Sequence, residues 1–335
     1  MPSLHQSLMQ QFLTPEREAK LSAIRTSGGF CLADVIRSGV ENPDSSIGAY
    51  APDAESYETF GPLFNDIIRA YHGHGAADKH RRDLNPANLK ISAFAASGDR
   101  ILSTRIRVGR NLEGFAFAPG ISQKDRLAVE QKIVDALMSL DGDLKGAYYP
   151  LSGMPEETRA QLVADHFLFK QGDRFLESAG ANRDWPEGRG IFHSADKKFL
   201  VWVNEEDQLR IISMESGNDL KSVFSRLSRA ITTLEKKLAF AYSDRLGYLA
   251  SCPSNLGTAM RASFHMRLPK TSARPDFKEI AAKMGLSVRG VHGEHSESEG
   301  GIFDISNKRR LGITEVEAVN ALYEGARFLL ELETK

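Results

Sequence analysis

The sequence is nearly devoid of cysteine, with two residues, Cys31 and Cys252, among 335. No disulfide framework can be built from them, and their scarcity predicts a reducing compartment. There is no excess of charge of either sign. Lys plus Arg is 43 and Asp plus Glu is 44, a formal net charge of -1, which excludes a broad polyanion-binding surface and with it most nucleic-acid proteins. Long apolar runs are missing too; FLVWV at 199–203 is typical of the longest, far short of a membrane span. The opening stretch MPSLHQSLMQQFLTPE lacks the apolar core of a secretion signal, so a cytoplasmic protein with no membrane partner is expected. Walker A, dinucleotide-fingerprint and nucleophile-elbow motifs are absent, and no internal repeat is visible.

What is present is an ordinary globular composition, 41% apolar and 26% charged, long enough for one large domain or two. Among the cations 26 are Arg and 17 are Lys. The planar guanidinium fork suits fixed recognition of phosphate or carboxylate better than an ammonium does. Residues 1–71 read as helical with a turn-rich stretch, ENPDSSIGAYAPD, at 41–53. A weakly periodic linker follows at about 72–98, which divides the chain into a helical unit over 1–80 and a larger one over 81–335. Beyond residue 99 strands alternate with long helices. ILSTRIRV at 101–108 places Leu102, Thr104, Ile106 and Val108 on one face and Ser103, Arg105 and Arg107 on the other. FLVWV and QLRIIS flank Asn204-Glu205-Glu206-Asp207 as a hairpin, and ASFHMRL at 262–268 and GIFDI at 301–305 read as further strands. Helices are expected over 125–140, with Leu127, Ile133, Val134, Leu137 and Met138 as its stripe, over 219–238, and over 314–332 behind the capping box Thr314–Glu317. Without a regular βαβ rhythm, the pattern predicts an α+β fold on a mostly antiparallel sheet.

Candidate chemistry begins with Arg105 and Arg107. Two residues apart on one strand, their guanidiniums project to the same side and repel each other unless an anion lies between them. Arg210 and Arg261 lie on or beside other strands, and Arg289 precedes a loop with Gly290, Gly293, Gly300 and Gly301. Read alone, each is equally a solvated surface arginine. That loop can close over a phosphate, yet Glu294, Glu297 and Glu299 give it an acidic side. Acidic groups beside an arginine-lined site suit a cationic substrate meeting an anionic one. Cys252, in SCPSNLGT, is read either as a thiol activated by Ser254 and backbone N–H groups or as an inert buried residue. Cys31 is assigned to the core. His72, His74 and His80 match no usual zinc spacing and are expected as surface side chains of the linker.

Taken together, STRIRVGR at 103–110, GRGIFHSADKKFLVWVNEEDQLRIISM at 188–214, CPSNLGTAMRAS at 252–263 and VRGVHGEHSESEGGIFDISNKRRLGITE at 288–315 resemble the phosphagen (guanidino) kinase family. GVENPDSSIGAYAPDAESYETFGPLF at 39–64 and KGAYYPLSGM at 145–154 are similar to its arginine kinase branch, and the similarity extends over about 20–335. The resemblance implies a small all-helical N-terminal domain and a larger domain with an antiparallel sheet flanked by helices. It implies reversible transfer of the ATP γ-phosphoryl to a guanidino nitrogen, with Mg²⁺ held by phosphates and water. Arg105, Arg107, Arg210, Arg261 and Arg289 match the arginines that hold the nucleotide phosphates. Ser103, His166, His265 and Gly290, Val291, His292 and Gly293 match further nucleotide contacts. Glu206 and Glu294 match carboxylates that grip the guanidinium, and Cys252 matches a cysteine beside it, acting as a thiolate. Ser46, Ile47, Gly48 and Tyr50 match the substrate specificity loop. Asp44 and Arg174 match a pair that ties the two domains. Ser254 is a conservative departure from a frequent family residue, and His292 stands where the family often has an Arg that makes a nucleotide or closure contact. The chain also departs from frequent family residues at Ser46 and Ala49 in the specificity loop, so another guanidine such as taurocyamine stays open as substrate. So does an inactive nucleotide-binding protein on this fold. Either a monomer or a homodimer is compatible with the resemblance.

Overall fold

The computed structural model describes residues 6–94, 98–165, 167–169, 171–290 and 300–335. Its strands, in chain order, are β1 (Ile101–Arg110), β2 (Gly146–Pro150), β3 (Gly190–Ser194), β4 (Phe199–Val203), β5 (Leu209–Ser216), β6 (Tyr242–Ser243), β7 (Gly247–Tyr248), β8 (Met260–Arg267), β9 (Leu286–Arg289) and β10 (Ile302–Asn307). Eight of these form one sheet in the order β2-β3-β4-β5-β1-β8-β10-β9, with every pairing antiparallel; β6 and β7 form a separate hairpin. The α+β reading is therefore correct. Because β1 lies at the middle of the sheet, whatever its exposed face carries is central to the molecule.

Alternation decides which face that is. Ile106 and Val108 are fully buried, and with Val201, Val203, Ile211, Met260 and Phe264 they meet the helices Gln123–Leu137, Leu220–Leu234 and Glu315–Thr334. The last helix opens at the expected Thr314–Glu317 capping box. On the opposite face, Ile191, Leu200, Trp202 and Ile212 pack with Leu151, Leu162, Leu168 and Phe169. That second cluster covers only the β3–β5 side of the sheet, and the arginines of β1 begin where it ends. The helical stripe over 125–140 is shifted from the expected one. Val129, Ile133, Ala136 and Leu137 are buried, whereas Leu127 and Met138 face solvent.

The N-terminal helices have their own core, built from Met9, Val35, Tyr57, Phe60, Phe64 and Ile67 among others. Leu246, Leu249, Cys252, Leu256 and Leu311 from the sheet-bearing part join that core, so the two parts share apolar surface around the Cys252 segment. Cys31 is not a core residue: it is partly exposed at the N-cap of the helix Leu32–Glu41, where Asp34 accepts from its backbone N–H and its thiol. The linker histidines are also not surface side chains. His74 and His80 are buried, and His72 is half-buried with Nε2 at 2.9 Å from the Pro253 carbonyl. The linker itself is strapped to the last helix, through Arg81 to Glu317, Lys90 N–H to Asn320, and Phe94 against Tyr323. Among the described residues no helix is long and apolar enough to cross a membrane.

The helix Leu32–Glu41 touches the 46–50 loop backbone to backbone. A Cβ on Gly39 would lie 2.2 Å from the Gly48 carbonyl oxygen, and Gly48 itself has φ +79°. Gly39→Ala must push these two segments apart, and a stability loss of about 1–3 kcal/mol is expected by denaturant titration. Val40→Ala, at a neighbouring exposed position of the same helix, is the control and should change stability by less than about 0.5 kcal/mol.

Candidate active site

Strand register assembles the arginines. Arg107 of β1 lies directly opposite Arg261 of β8 and Ile212 of β5, and Arg105 opposite Ser263 and Met214. Cross-strand partners share a face, so Arg210, paired with Gly109 and Trp202, lies on that face as well. On the other flank Ser103 is opposite His265, His265 opposite Asp304, and Asp304 opposite Arg289. One sheet face thus gathers Ser103, Arg105, Arg107, Arg210, Arg261, His265 and Arg289. Trp202 borders the group, with the guanidinium carbons of Arg105 and Arg210 at 5.7 and 5.3 Å from its ring centroid.

The anionic side is smaller. Asp304 holds Arg261 at 2.8 Å. Glu205 and Glu206, from the β4–β5 hairpin, hold Arg210 at 3.0 and 2.7 Å. Among the described residues neither Arg105 nor Arg107 has a carboxylate within ion-pair distance. Burial, then repulsion from Arg210 and Arg261, lowers the pKa of Arg105 to about 10 and holds that of Arg107 well below its usual value. This cation excess, half out of water, favours an incoming polyanion. Glu206 feels the opposite stress. Burial, with Asp207 and Glu205 adding to it, raises its carboxyl to about 7 against the pull of Arg210 and Arg107. A guanidinium delivered there would replace the solvation the carboxylate has lost.

Cys252 sits beside this carboxylate, 7% exposed, at the start of the short 3₁₀ turn Pro253–Asn255. Its Sγ is 3.1 Å from Ser254 Oγ, and Asn255 donates to Glu206 Oε1 at 3.1 Å. Local donors and burial act on the thiol in opposite directions. Ser254 does favour ionisation, but burial and the nearby Glu206 charge outweigh it and push the thiol up to about 12. In this arrangement burial favours the neutral thiol over the thiolate. Tyr50 belongs to the same neighbourhood, since burial, Cys252 and Glu206 all raise its hydroxyl.

Residues passed over in the sequence hold these groups in place. Asp207, fully buried, accepts from Asn111 Nδ2 at 2.7 Å and from the Ser251 N–H at 2.9 Å, which links the hairpin, β1 and the Cys252 segment. Arg310 donates to the Ser254 carbonyl at 2.9 Å and to Asn255. Asp207 and Asn255 stood inside the NEED and CPSN motifs, but their buried hydrogen bonds had no sequence signal. The 46–50 loop is fixed by backbone bonds: the Ser46 and Ile47 carbonyls accept from Leu8 and Met9 N–H at 3.1 and 2.9 Å, and Tyr50 N–H donates to Val35 at 2.9 Å. Ala49 is fully buried in that loop. Arg174 makes a two-pronged contact with Asp44 at the surface. His166, Val291, His292, Gly293 and Glu294 lie outside the described residues.

Comparison with known proteins agrees with this geometry. Residues 3–69 match the ATP:guanido phosphotransferase N-terminal domain, and residues 128–335 match its C-terminal catalytic domain. The chain is 55% identical over 331 residues to an arginine kinase of Anthopleura japonica, covering 98% of this chain and 46% of that protein. It is 52% identical over 330 residues to the arginine kinase Lit v 2.0101 of Penaeus vannamei, covering 98% and 92%. Among solved structures, the duplicated taurocyamine kinase from Schistosoma mansoni with bound transition state analog components superposes with TM-score 0.94 at 45% identity, over 99% of this chain and 47% of that one. Lombricine kinase superposes with TM-score 0.93 at 38% identity, over 99% and 93%. The chain spans about half the length of the Anthopleura and Schistosoma proteins and nearly all of the other two. A half-buried arginine face, a carboxylate of raised proton affinity at its edge and similarity over nearly the whole chain lead to one conclusion: the chain belongs to the ATP:guanido phosphotransferase family.

Proposed function

We propose that this chain catalyses reversible transfer of the γ-phosphoryl group of ATP to the guanidino nitrogen of L-arginine, giving phosphoarginine and ADP. The observation that carries it is the pairing of a cation-rich sheet face with Glu206, a carboxylate at its edge whose proton affinity is raised by loss of water and by Asp207 and Glu205, even with Arg210 at 2.7 Å. The choice of arginine among guanidines rests on the 50–55% identity to arginine kinases.

In this reading Arg105, Arg107, Arg210, Arg261 and Arg289 hold the nucleotide phosphates and spread the charge of the transferring group. Ser103, His166 and His265 contact the base and ribose, and the 290–293 backbone contacts the phosphates. Glu206, with Glu294 from the loop, orients the guanidino nitrogen in line with the γ-phosphorus. The N–P bond forms as the bond to the β,γ-bridging oxygen breaks, its electron pair leaves with ADP, and the nitrogen gives one proton to the carboxylate of Glu206 or Glu294. Cys252, ionised only when the guanidinium lies against it, stabilises that cation. Ser46, Ile47, Gly48 and Tyr50 hold the amino-acid end. Mg²⁺ arrives as part of the nucleotide. The arginine face suits the phosphates rather than a metal ion, and the phosphates and water would ligate the Mg²⁺. We place the reaction in the cytoplasm, where both cysteines stay reduced.

The direct test is ADP release with MgATP against L-arginine, D-arginine, creatine, taurocyamine, lombricine and glycocyamine. L-arginine should be the preferred substrate. Preference for taurocyamine or lombricine would reassign the guanidine, and nucleotide binding without turnover on any of them would overturn the assignment.

Glu206 sets a pH limb. Binding the guanidinium requires the carboxylate, so kcat/KM for L-arginine should fall as pH drops through about 7. Glu206→Gln should abolish that limb and cut kcat/KM by about a hundredfold to a thousandfold. Because the folded state raises the carboxyl above its ordinary value, keeping it ionised costs stability as pH rises through about 7. Glu206→Gln should therefore leave Tm at pH 8 unchanged or higher. Arg107→Ala should lower kcat by about a hundredfold or more in a protein of unchanged circular dichroism. Cys252→Ala should retain a measurable fraction of turnover; full activity would make the thiol purely structural.

A further inference from the structure

The segment that carries Cys252 is held from outside its own domain. Its carbonyls accept from the N-terminal part of the chain at three places: Ala250 from the Tyr57 hydroxyl at 2.7 Å, Ser251 from the Ala51 N–H at 2.7 Å, and Pro253 from His72 Nε2 at 2.9 Å. The third contact has no part in the chemistry described above, and a linker histidine is not expected to make it. A carbonyl only accepts, so Nε2 of His72 carries a proton. Burial keeps it neutral, lowering its pKa to about 4.

Its position gives the contact leverage. His72 is the last residue of the helix Gly61–His72, and the next residue, Gly73, closes that helix in the left-handed conformation. The ring is therefore carried on a rigid element whose other side is packed into the N-terminal core through Leu63, Phe64, Ile67 and Ile68. Pro253 lies between Cys252 and Ser254, whose side chains meet at 3.1 Å, and two residues before Asn255, which donates to Glu206. Within the turn, the Pro253 carbonyl has only a long bond from Leu256 N–H, 3.3 Å.

We propose that His72 is a positioning residue for the guanidinium half of the site, fixing the Cys252–Asn255 turn through its bond to the Pro253 carbonyl. The proposal rests on the phosphotransferase reading for its kinetic consequence only. The arginine face stands on other strands, so the nucleotide half does not depend on this bond.

The test compares His72→Leu, which fills the space without a donor, with His72→Gln, whose amide nitrogen reaches about as far as Nε2. The first readout needs no activity: the rate at which iodoacetamide alkylates Cys252 in the unliganded protein at pH 8, resolved from Cys31 by peptide mass. Loss of one hydrogen bond predicts alkylation about threefold to tenfold faster in His72→Leu, with His72→Gln within about twofold of the wild type. The second readout is steady-state kinetics. KM for L-arginine should rise by a similar factor in His72→Leu while KM for MgATP stays within about twofold. If His72→Leu does not fold, His72→Asn, whose amide falls short of the carbonyl, takes its place. Wild-type alkylation and wild-type KM for L-arginine in a folded donorless variant would overturn the proposal, as would His72→Gln behaving like His72→Leu. A wild type inactive on every guanidine would refute the phosphotransferase reading instead, and the alkylation comparison would still decide the role of His72.

Discussion

Burying like-charged guanidiniums side by side on one sheet face is the constraint from which the rest of the structure follows. Arg107 and Arg261 are cross-strand partners in the middle of an antiparallel sheet, and Arg105 and Arg210 flank them. Such a face is unfavourable by itself, and the described carboxylates relieve it unevenly. Asp304 answers Arg261, and Glu205 and Glu206 both answer Arg210. Arg105 and Arg107 are left to be satisfied by something that binds. The apolar cluster around Trp202 and the helical core beneath the sheet supply the rigidity that prevents the arginines from escaping to water.

The Arg210–Glu206 contact has a second meaning. In the unliganded site the group proposed for phosphate is paired with the group proposed for guanidinium. Each substrate would take one partner and free the other, so the two binding events are coupled through a single ion pair. The same logic applies to Cys252, whose thiol is raised by burial and by Glu206 and would be favoured as a thiolate by a cation laid against it. Both groups are poorly solvated until substrate arrives, which is how a site stores a preference for charge that it does not itself contain.

Much of this was legible in the sequence, and unevenly. Alternation over 101–108 placed Arg105 and Arg107 on one face, because a period of two leaves no other choice once Ile106 and Val108 are buried. The NEED hairpin between two apolar runs was equally plain. Cross-strand register was not: nothing in the chain says that Arg261 pairs with Arg107 rather than with a neighbour two residues away. Long-range polar contacts were invisible for the same reason. His72, His74 and His80 read as solvated because composition marked a linker, yet two are buried and the third bonds the Pro253 carbonyl. Leu127 and Met138 carried the helical period but lie on its solvent side, since which part of a broad apolar stripe is covered depends on the neighbouring elements. The two readings of the thiol stayed open because local donors are visible in sequence, whereas burial and a carboxylate from a distant hairpin are not.

The measurement that bears most directly on the central claim is ³¹P NMR of the protein with MgATP and L-arginine. The account predicts loss of the γ-phosphate signal, growth of a resonance for a phosphorus bonded to nitrogen, and recovery of ATP when excess MgADP is added. Release of inorganic phosphate alone, or bound nucleotide with no new P–N signal, would contradict it.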